Sequence, residues 1–83
     1  MNNTTSLAHE VSRWIGDILH KPIDSTKLDA DLVNDYHADS MDMVDIVDTM
    51  ERKYGVIVTN DEVSSVRTIE DVVSRIQRRR EKA

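Results

Sequence analysis

The chain has 83 residues, contains no cysteine and carries a formal net charge of −5 at pH 7. This length suits one small domain, and the lack of cysteine excludes disulfides, thiolate metal sites and thiol nucleophiles. No apolar run is long enough to cross a membrane, and residues 1–6 are polar, unlike a secretory signal. We therefore expect a cytoplasmic protein with a single domain over residues 1–83, frayed at about residues 1–4 and 79–83.

The first predicted helix has apolar residues at helical spacing, and these are Leu7, Val11, Trp14, Ile15 and Ile18. Thr5 or Ser6 can cap its start, and Pro22 ends it near His20. Residues 21–39 then form a long connection, and loops of this length in a small domain are often functional. Its predicted anchors in the core are Leu28, Leu32 and Val33.

The second predicted helix runs from Ser40 to about Tyr54, and Gly55 ends it. Its predicted buried stripe has 3–4 spacing and consists of Met43, Ile46, Val47, Met50 and Tyr54. Residues 56–58 are β-branched, but no other segment of the sequence predicts a strand to pair with them. We therefore expect an extended connector with Val56 and Val58 directed inward.

The C-terminal part of the chain predicts two further helices. Residues 60–63 suit a cap with one or two helical turns, and the last helix begins at Thr68, which can form a capping box with Asp71. Its apolar face consists of Ile69, Val72, Val73 and Ile76. The expected fold is all-α, a small four-helix bundle with three main helices, one short third helix and a long loop between the first two.

The charges of the chain are unevenly distributed. Residues 24–62 contain eleven acids against three bases, whereas residues 63–83 contain three acids against six bases. The acids of the second helix recur every three residues, at Asp39, Asp42, Asp45, Asp48 and Glu51, with Met41 and Val44 among them. Such a helix side is either solvated or docks on a basic protein partner, and it disfavours nucleic acid.

Ser40 lies at the first turn of this acidic helix. From the residues alone, Ser40 or Asp39 could be an ordinary helix cap. The cap is the more common role, but an exposed Ser40 hydroxyl near the positive end of the helix dipole could instead carry a phosphate ester, since the free backbone N–H groups there would stabilise it. The residues by themselves leave both interpretations open.

The segment Asp35-Tyr36-His37-Ala38-Asp39-Ser40-Met41-Asp42 resembles the motif of acyl carrier proteins, D-L-G-A-D-S-L-D, and the resemblance continues from Leu32 to Ile76. It implies a 4′-phosphopantetheine group joined covalently to Ser40, donated by coenzyme A through a phosphopantetheinyl transferase. It also implies a monomeric carrier and not an enzyme. Such a carrier holds acyl groups as thioesters and shuttles them between enzymes of fatty acid, polyketide-like or other specialised lipid biosynthesis.

The resemblance also implies roles for the residues around Ser40. Acyl-loading, condensing and acyl-transfer enzymes would dock through basic patches on Asp39, Met41, Asp42, Val44, Asp45, Asp48 and Glu51. An acyl cavity would be lined by Met43, Ile46, Val47, Met50, Val58 and Ile69. Because Tyr36 and His37 replace the usual Leu-Gly of the motif, we expect a dedicated pathway rather than housekeeping fatty acid synthesis.

Three alternatives remain at this point. The first is an interaction module of the same fold that never receives the prosthetic arm. The second is a hydrolase that uses Ser40 with His37, although the sequence offers no orienting acid or oxyanion loop. The third is calcium binding through Asp29, Asp31 and Asp35, although the spacing of an EF-hand loop is not met.

Overall fold

The structure, a computed structural model, describes residues 3–82, with side chains for residues 6–80. Its helices are α1 (Asn3–Leu19), α2 (Ser40–Tyr54), α3 (Asn60–Val63) and α4 (Ile69–Lys82). Within residues 3–82 no strand forms, and one antiparallel bridge joins Asp31 to Thr68. The predicted four-helix, all-α architecture is confirmed. Of the ends expected to fray, Met1, Asn2 and Ala83 lie outside the described residues.

The predicted cap of α1 at Thr5 or Ser6 is wrong, because both residues lie within the helix, which the structure describes from Asn3. Residues 3–6 are Asn-Thr-Thr-Ser, and each of these types is a good N-cap. The local sequence therefore offers several competing starts and does not select one of them.

The end of α1 confirms the predicted stop near His20. The Lys21 N–H donates to the Gly16 carbonyl over 3.2 Å, and His20 adopts a positive φ of 57°, as in a Schellman motif. The chain passes so close to the helix that a Cβ on Gly16 would lie 2.9 Å from the Lys21 carbonyl oxygen. Glycine at this position therefore permits the turn that starts the long loop.

The loop over residues 20–39 is fixed to the start of α4. Leu32 is fully buried and its N–H donates to the Arg67 carbonyl over 2.7 Å, while the Glu70 N–H donates to the Leu28 carbonyl over 2.9 Å. The prediction that Val33 anchors the loop is wrong, since Val33 is 40% exposed. The Asp31 side chain accepts from the N–H of Val33 and closes a turn there, which directs Val33 outward.

The core lies between α1, α2 and α4, with the extended connector completing one side. Both α2 and α4 bury the stripes that their spacing predicted, although Tyr54 is only half-buried. In the connector, Val56 and Val58 are buried and Ile57 is exposed, as expected. The start of α4 has the predicted capping box, with the Asp71 N–H donating to Thr68 Oγ1 over 3.1 Å and the Thr68 N–H donating to Asp71 Oδ2 over 3.0 Å.

One polar network joins three helices at the edge of this core. The Trp14 Nε1–H donates to the Tyr54 hydroxyl over 3.0 Å, the Tyr54 hydroxyl donates to the Glu10 carboxylate, and the Arg80 guanidinium lies 5.8 Å from the Tyr54 ring centroid. Burial, and then the bond to Glu10, raises the pKa of Tyr54 to about 12. The phenol therefore remains a proton donor over the physiological pH range.

We expect Tyr54→Phe to lower the free energy of unfolding by about 1–2 kcal/mol, because a largely buried Trp14 N–H loses its acceptor and Glu10 loses a donor. Urea denaturation measures this change. Tyr36→Phe removes the same hydroxyl from a more solvated site, where it accepts one weak bond from the Asp24 N–H, and we expect a smaller loss. Equal losses in the two variants would contradict the role of the network.

Candidate functional site

Asp39, and not Ser40, caps α2. Asp39 Oδ1 accepts from the Asp42 N–H over 2.8 Å, and Asp42 Oδ2 accepts in return from the Asp39 N–H over 3.1 Å. These two bonds form a capping box, with Asp42 in the place usually taken by Glu or Gln. The structure therefore assigns the cap, which the residues alone had left open between Asp39 and Ser40.

Ser40 is exposed and is the first residue of α2. Its hydroxyl has no hydrogen-bond partner within the described part of the chain. The backbone N–H groups of Ser40 and Met41 lie in the first turn, where no carbonyl four residues earlier in the helix can accept them. A phosphate ester on Ser40 Oγ fits this position, since both the free N–H groups and the helix dipole favour an anion.

The segment that leads to Ser40 is held by one contact from Lys21, just after α1, and by one contact within the loop. Lys21 Nζ donates to the Tyr36 carbonyl over 2.6 Å. The Ala38 side chain is buried, and its N–H donates to the Leu32 carbonyl over 2.9 Å. These contacts fix the chain on the N-terminal side of the capping box. Sequence reasoning missed the contribution of Lys21, and no local pattern signals it, because fifteen residues separate it from Tyr36.

His37 occupies the left-handed region of backbone conformation, with φ at 60°. The acyl carrier motif usually has glycine at this position, and glycine adopts positive φ without steric cost. The departure from the motif therefore leaves the turn intact and adds local strain. An exposed imidazole is the result, three residues before Ser40.

The predicted docking residues lie on the outer side of α2, where Asp42 is half-buried and the other six are exposed. Met41 is 67% exposed and Val44 54%. The carboxylates differ in their engagement, since Asp45 has no partner in the described structure, whereas Asp48 is bonded to Arg52 over 2.7 Å. The most available part of this side is therefore its N-terminal half, which we call the acidic surface: Met41, Val44 and Asp45.

The six residues predicted to line an acyl cavity are all buried together in the core, and they are Met43, Ile46, Val47, Met50, Val58 and Ile69. They come from α2, the connector and α4, so these elements surround one apolar volume. A cavity that opens for an acyl chain among them stays a prediction.

The side chains of the two alternative sites have other contacts. Asp31 accepts from the N–H groups of Val33 and Asn34 and pairs with Arg67 over 3.0 Å. Among the described residues no group of three or more His, Cys, Asp or Glu side chains could hold a metal ion. Among the described residues no hydrogen bond connects His37 with Ser40.

None of the helices in the described part of the chain is long and apolar enough to cross a membrane.

Comparison with known proteins relates the chain to one family. Residues 9–76 match the protein family described as "Phosphopantetheine attachment site". The acyl carrier protein of Chlamydia trachomatis serovar D is 32% identical over 74 residues, which cover 89% of this chain and 96% of that protein. The acyl carrier protein of Rickettsia canadensis is 28% identical over 79 residues, which cover 95% of this chain and 92% of the relative.

The strain at His37 predicts a graded effect of substitution. We expect His37→Val to lower the free energy of unfolding by about 1–2 kcal/mol, because a β-branched residue is disfavoured at positive φ. His37→Gly should cause no loss, and His37→Asn should have an intermediate effect, since Asn tolerates the left-handed region. Urea denaturation of the three variants gives the order, and a stability of His37→Val equal to that of His37→Gly would contradict the positive φ.

Proposed function

Since the chain belongs to the acyl carrier protein family, whose members bear covalent 4′-phosphopantetheine, we propose that Ser40 is its attachment residue and that the protein carries acyl groups between enzymes. The Ser40 hydroxyl is exposed at the capped start of α2 and has no hydrogen-bond partner among the described residues, and this observation carries the proposal. No feature of the described site favours the alternative of an interaction module that never receives the arm.

The chain supplies the acceptor hydroxyl for the attachment reaction. Ser40 Oγ would lose its proton and bond to the coenzyme A phosphorus that bears the pantetheine arm. The bond from this phosphorus to the nucleotide part would break, and adenosine 3′,5′-bisphosphate would leave. No basic group of the described structure bonds to the hydroxyl, so the phosphopantetheinyl transferase provides the base. The attached group supplies a thiol, which the cysteine-free chain lacks, for thioester formation.

The residues around Ser40 hold this attachment point in a fixed and open position. The capping box keeps the first turn of α2 formed, while Lys21 and Ala38 restrain the chain before it. Because Ser40 is exposed, a group attached there extends from a rigid helix end toward the active site of a partner. A carrier needs an accessible attachment point of this kind, and it needs no catalytic residues of its own.

We further propose that partner enzymes recognise the acidic surface of Met41, Val44 and Asp45. The two apolar side chains give the contact an apolar centre within a charged rim, which is typical of interfaces. Asp45 is the carboxylate most ready to meet a basic patch, because Asp48 is already bonded to Arg52. Such contacts weaken as salt increases, which suits a carrier that must leave each enzyme.

The pathway is a finer part of the proposal. We propose a dedicated lipid or polyketide-like pathway in the cytoplasm rather than housekeeping fatty acid synthesis. The support is the changed recognition segment, where Tyr36 and His37 stand before Ser40. His37 presents an exposed imidazole there. Enzymes that bind carriers with the usual Leu-Gly motif would find no such side chain at this position.

Intact-protein mass spectrometry tests the assignment of Ser40. After incubation with coenzyme A and a promiscuous phosphopantetheinyl transferase, we expect the protein to gain the mass of one phosphopantetheine group. Ser40→Ala should abolish the gain, because it removes the acceptor oxygen and leaves the Asp39 cap intact.

Ser64→Ala is the matched control, because Ser64 is also exposed and lies beside a helix end, that of α3. It should gain the same mass as the wild type. No gain in the wild-type protein, or a gain that survives Ser40→Ala, would refute the proposal.

The transferase kinetics test the acidic surface. We expect Asp45→Asn to raise the KM for the carrier about two- to fivefold at low ionic strength, with kcat unchanged, since an exposed charge pair contributes up to about 1 kcal/mol. Arg52→Gln should lower KM, because it releases Asp48 for the partner. Asp61→Asn removes an exposed acid of α3 and should leave KM unchanged; equal effects of Asp45→Asn and Asp61→Asn would show that only total charge matters.

A further inference from the structure

A second surface with exposed apolar and charged side chains lies where the connector meets the C-terminal half of α4. Val56, Ile57, Arg75, Arg78 and Arg79 line a cavity of about 210 Å³, which we call the basic groove. Ile57 is 78% exposed, more than any other large apolar residue whose side chain is described, while both of its neighbours in the chain are buried. Core packing therefore does not account for an isoleucine at this position.

Two of the three arginines of the basic groove are already held in place. Arg75 donates to Glu62 Oε2 over 3.2 Å and to Ser65 Oγ over 2.9 Å, and Arg79 Nε donates to the Gly55 carbonyl over 3.1 Å. A guanidinium has five N–H donors, so both arginines retain donors for a carboxylate. A side chain that is already ordered also loses less entropy on binding.

The third arginine is available in a different way. Arg78 is exposed and has no partner in the described structure. As far as the structure describes the chain, the groove thus combines an exposed apolar residue, two ordered cations and one cation without a partner. This chemistry fits an acidic helix that also exposes apolar side chains.

We propose that the basic groove binds the acidic surface of a second copy of this chain, in a transient head-to-tail contact. The inference rests on the acidic surface proposed above, which offers Met41, Val44 and the free carboxylate of Asp45. Apolar residues would meet Ile57, and Asp45 would meet Arg78. The contact has the same chemistry as the basic, apolar patches expected on partner enzymes, so self-association competes with enzyme docking.

The net charge of −5 on each copy opposes association only weakly at physiological salt. Charges more than about 8 Å apart are largely screened there, whereas pairs in contact are screened less. The groove is small, so the contact is weak and transient, and the monomer remains the form that docks on enzymes. Because the two surfaces differ, a single contact of this kind leaves the acidic surface of one copy and the basic groove of the other unoccupied.

Analytical ultracentrifugation from micromolar to millimolar protein tests this inference at physiological salt. We expect the mean mass of the wild-type protein to rise with concentration. Arg78→Glu and Asp45→Lys should each weaken association about tenfold or more, because each places like charges in contact. Neither the Arg78 guanidinium nor the Asp45 carboxylate has an internal partner in the described structure, so both variants should fold.

A mixture of the two variants gives the sharpest result. The unchanged Asp45 of one chain can meet the unchanged Arg78 of the other, and the two introduced charges attract each other, so the mixture should associate again. Arg13→Glu is the matched control, since it makes the same change of charge at an exposed residue of α1 that is outside both surfaces. It should associate like the wild type, whereas Ile57→Ser should associate more weakly.

Three outcomes would overturn the inference. The wild-type protein could stay monomeric at every concentration, the mixture of Arg78→Glu and Asp45→Lys could fail to associate, or Arg13→Glu could weaken association as much as Arg78→Glu does. Mass spectrometry of Ser40 modification separates this inference from the proposed function. A modified but strictly monomeric chain would remove only the self-association. If the chain cannot be modified, but association is lost in Arg78→Glu and Asp45→Lys and returns in their mixture, only the carrier assignment would be refuted.

Discussion

The reciprocal pair of hydrogen bonds between Asp39 and Asp42 is the constraint on which the site depends. It satisfies backbone donors at the start of α2 with side chains that flank Ser40, and therefore leaves the serine hydroxyl free. If Ser40 were the cap, its oxygen would be occupied by the helix. A serine near a helix start can have two roles, capping and modification; here Asp39 has the first, and Ser40 remains available for the second, which we propose for it.

The restraints on the N-terminal side of this cap come from distant parts of the chain. The end of α1 turns sharply at His20 and brings Lys21 to the Tyr36 carbonyl, while Leu32 fixes the middle of the loop to the residues before α4. A long loop is thereby ordered by a few contacts at its ends and centre. The Trp14–Tyr54 contact joins α1 to α2, so the helix that carries Ser40 and the helix that restrains its loop are themselves connected.

Charge is distributed in a way that gives the small domain two different surfaces. The outer side of α2 is acidic with exposed Met41 and Val44, whereas the last turns of α4 are basic beside exposed Ile57. Internal ion pairs adjust both surfaces, since Arg52 neutralises Asp48 and Glu62 holds Arg75. Within the described residues the Asp45 carboxylate and the Arg78 guanidinium have no internal partner, and we propose that these two charges take part in recognition.

The sequence by itself determined the four helices, the end of α1, the bounds of α2, the inward valines of the connector and the cap at Thr68. These features depend on apolar periodicity and on capping residues a few positions apart, so local sequence contains them. It did not exclude Thr5 or Ser6 as the cap of α1, because both residue types are common helix caps, whereas in the structure both lie within the helix. It also predicted burial of Val33, since hydrophobicity alone does not reveal that the Asp31 turn directs that residue outward.

Only the tertiary structure decided that Asp39 is the cap, that Lys21 holds Tyr36 and that Ile57 lies among three arginines. The last two depend on contacts between residues far apart in the chain. For the cap, two neighbouring residues were equally suitable, and the backbone geometry fixed by the loop selected one.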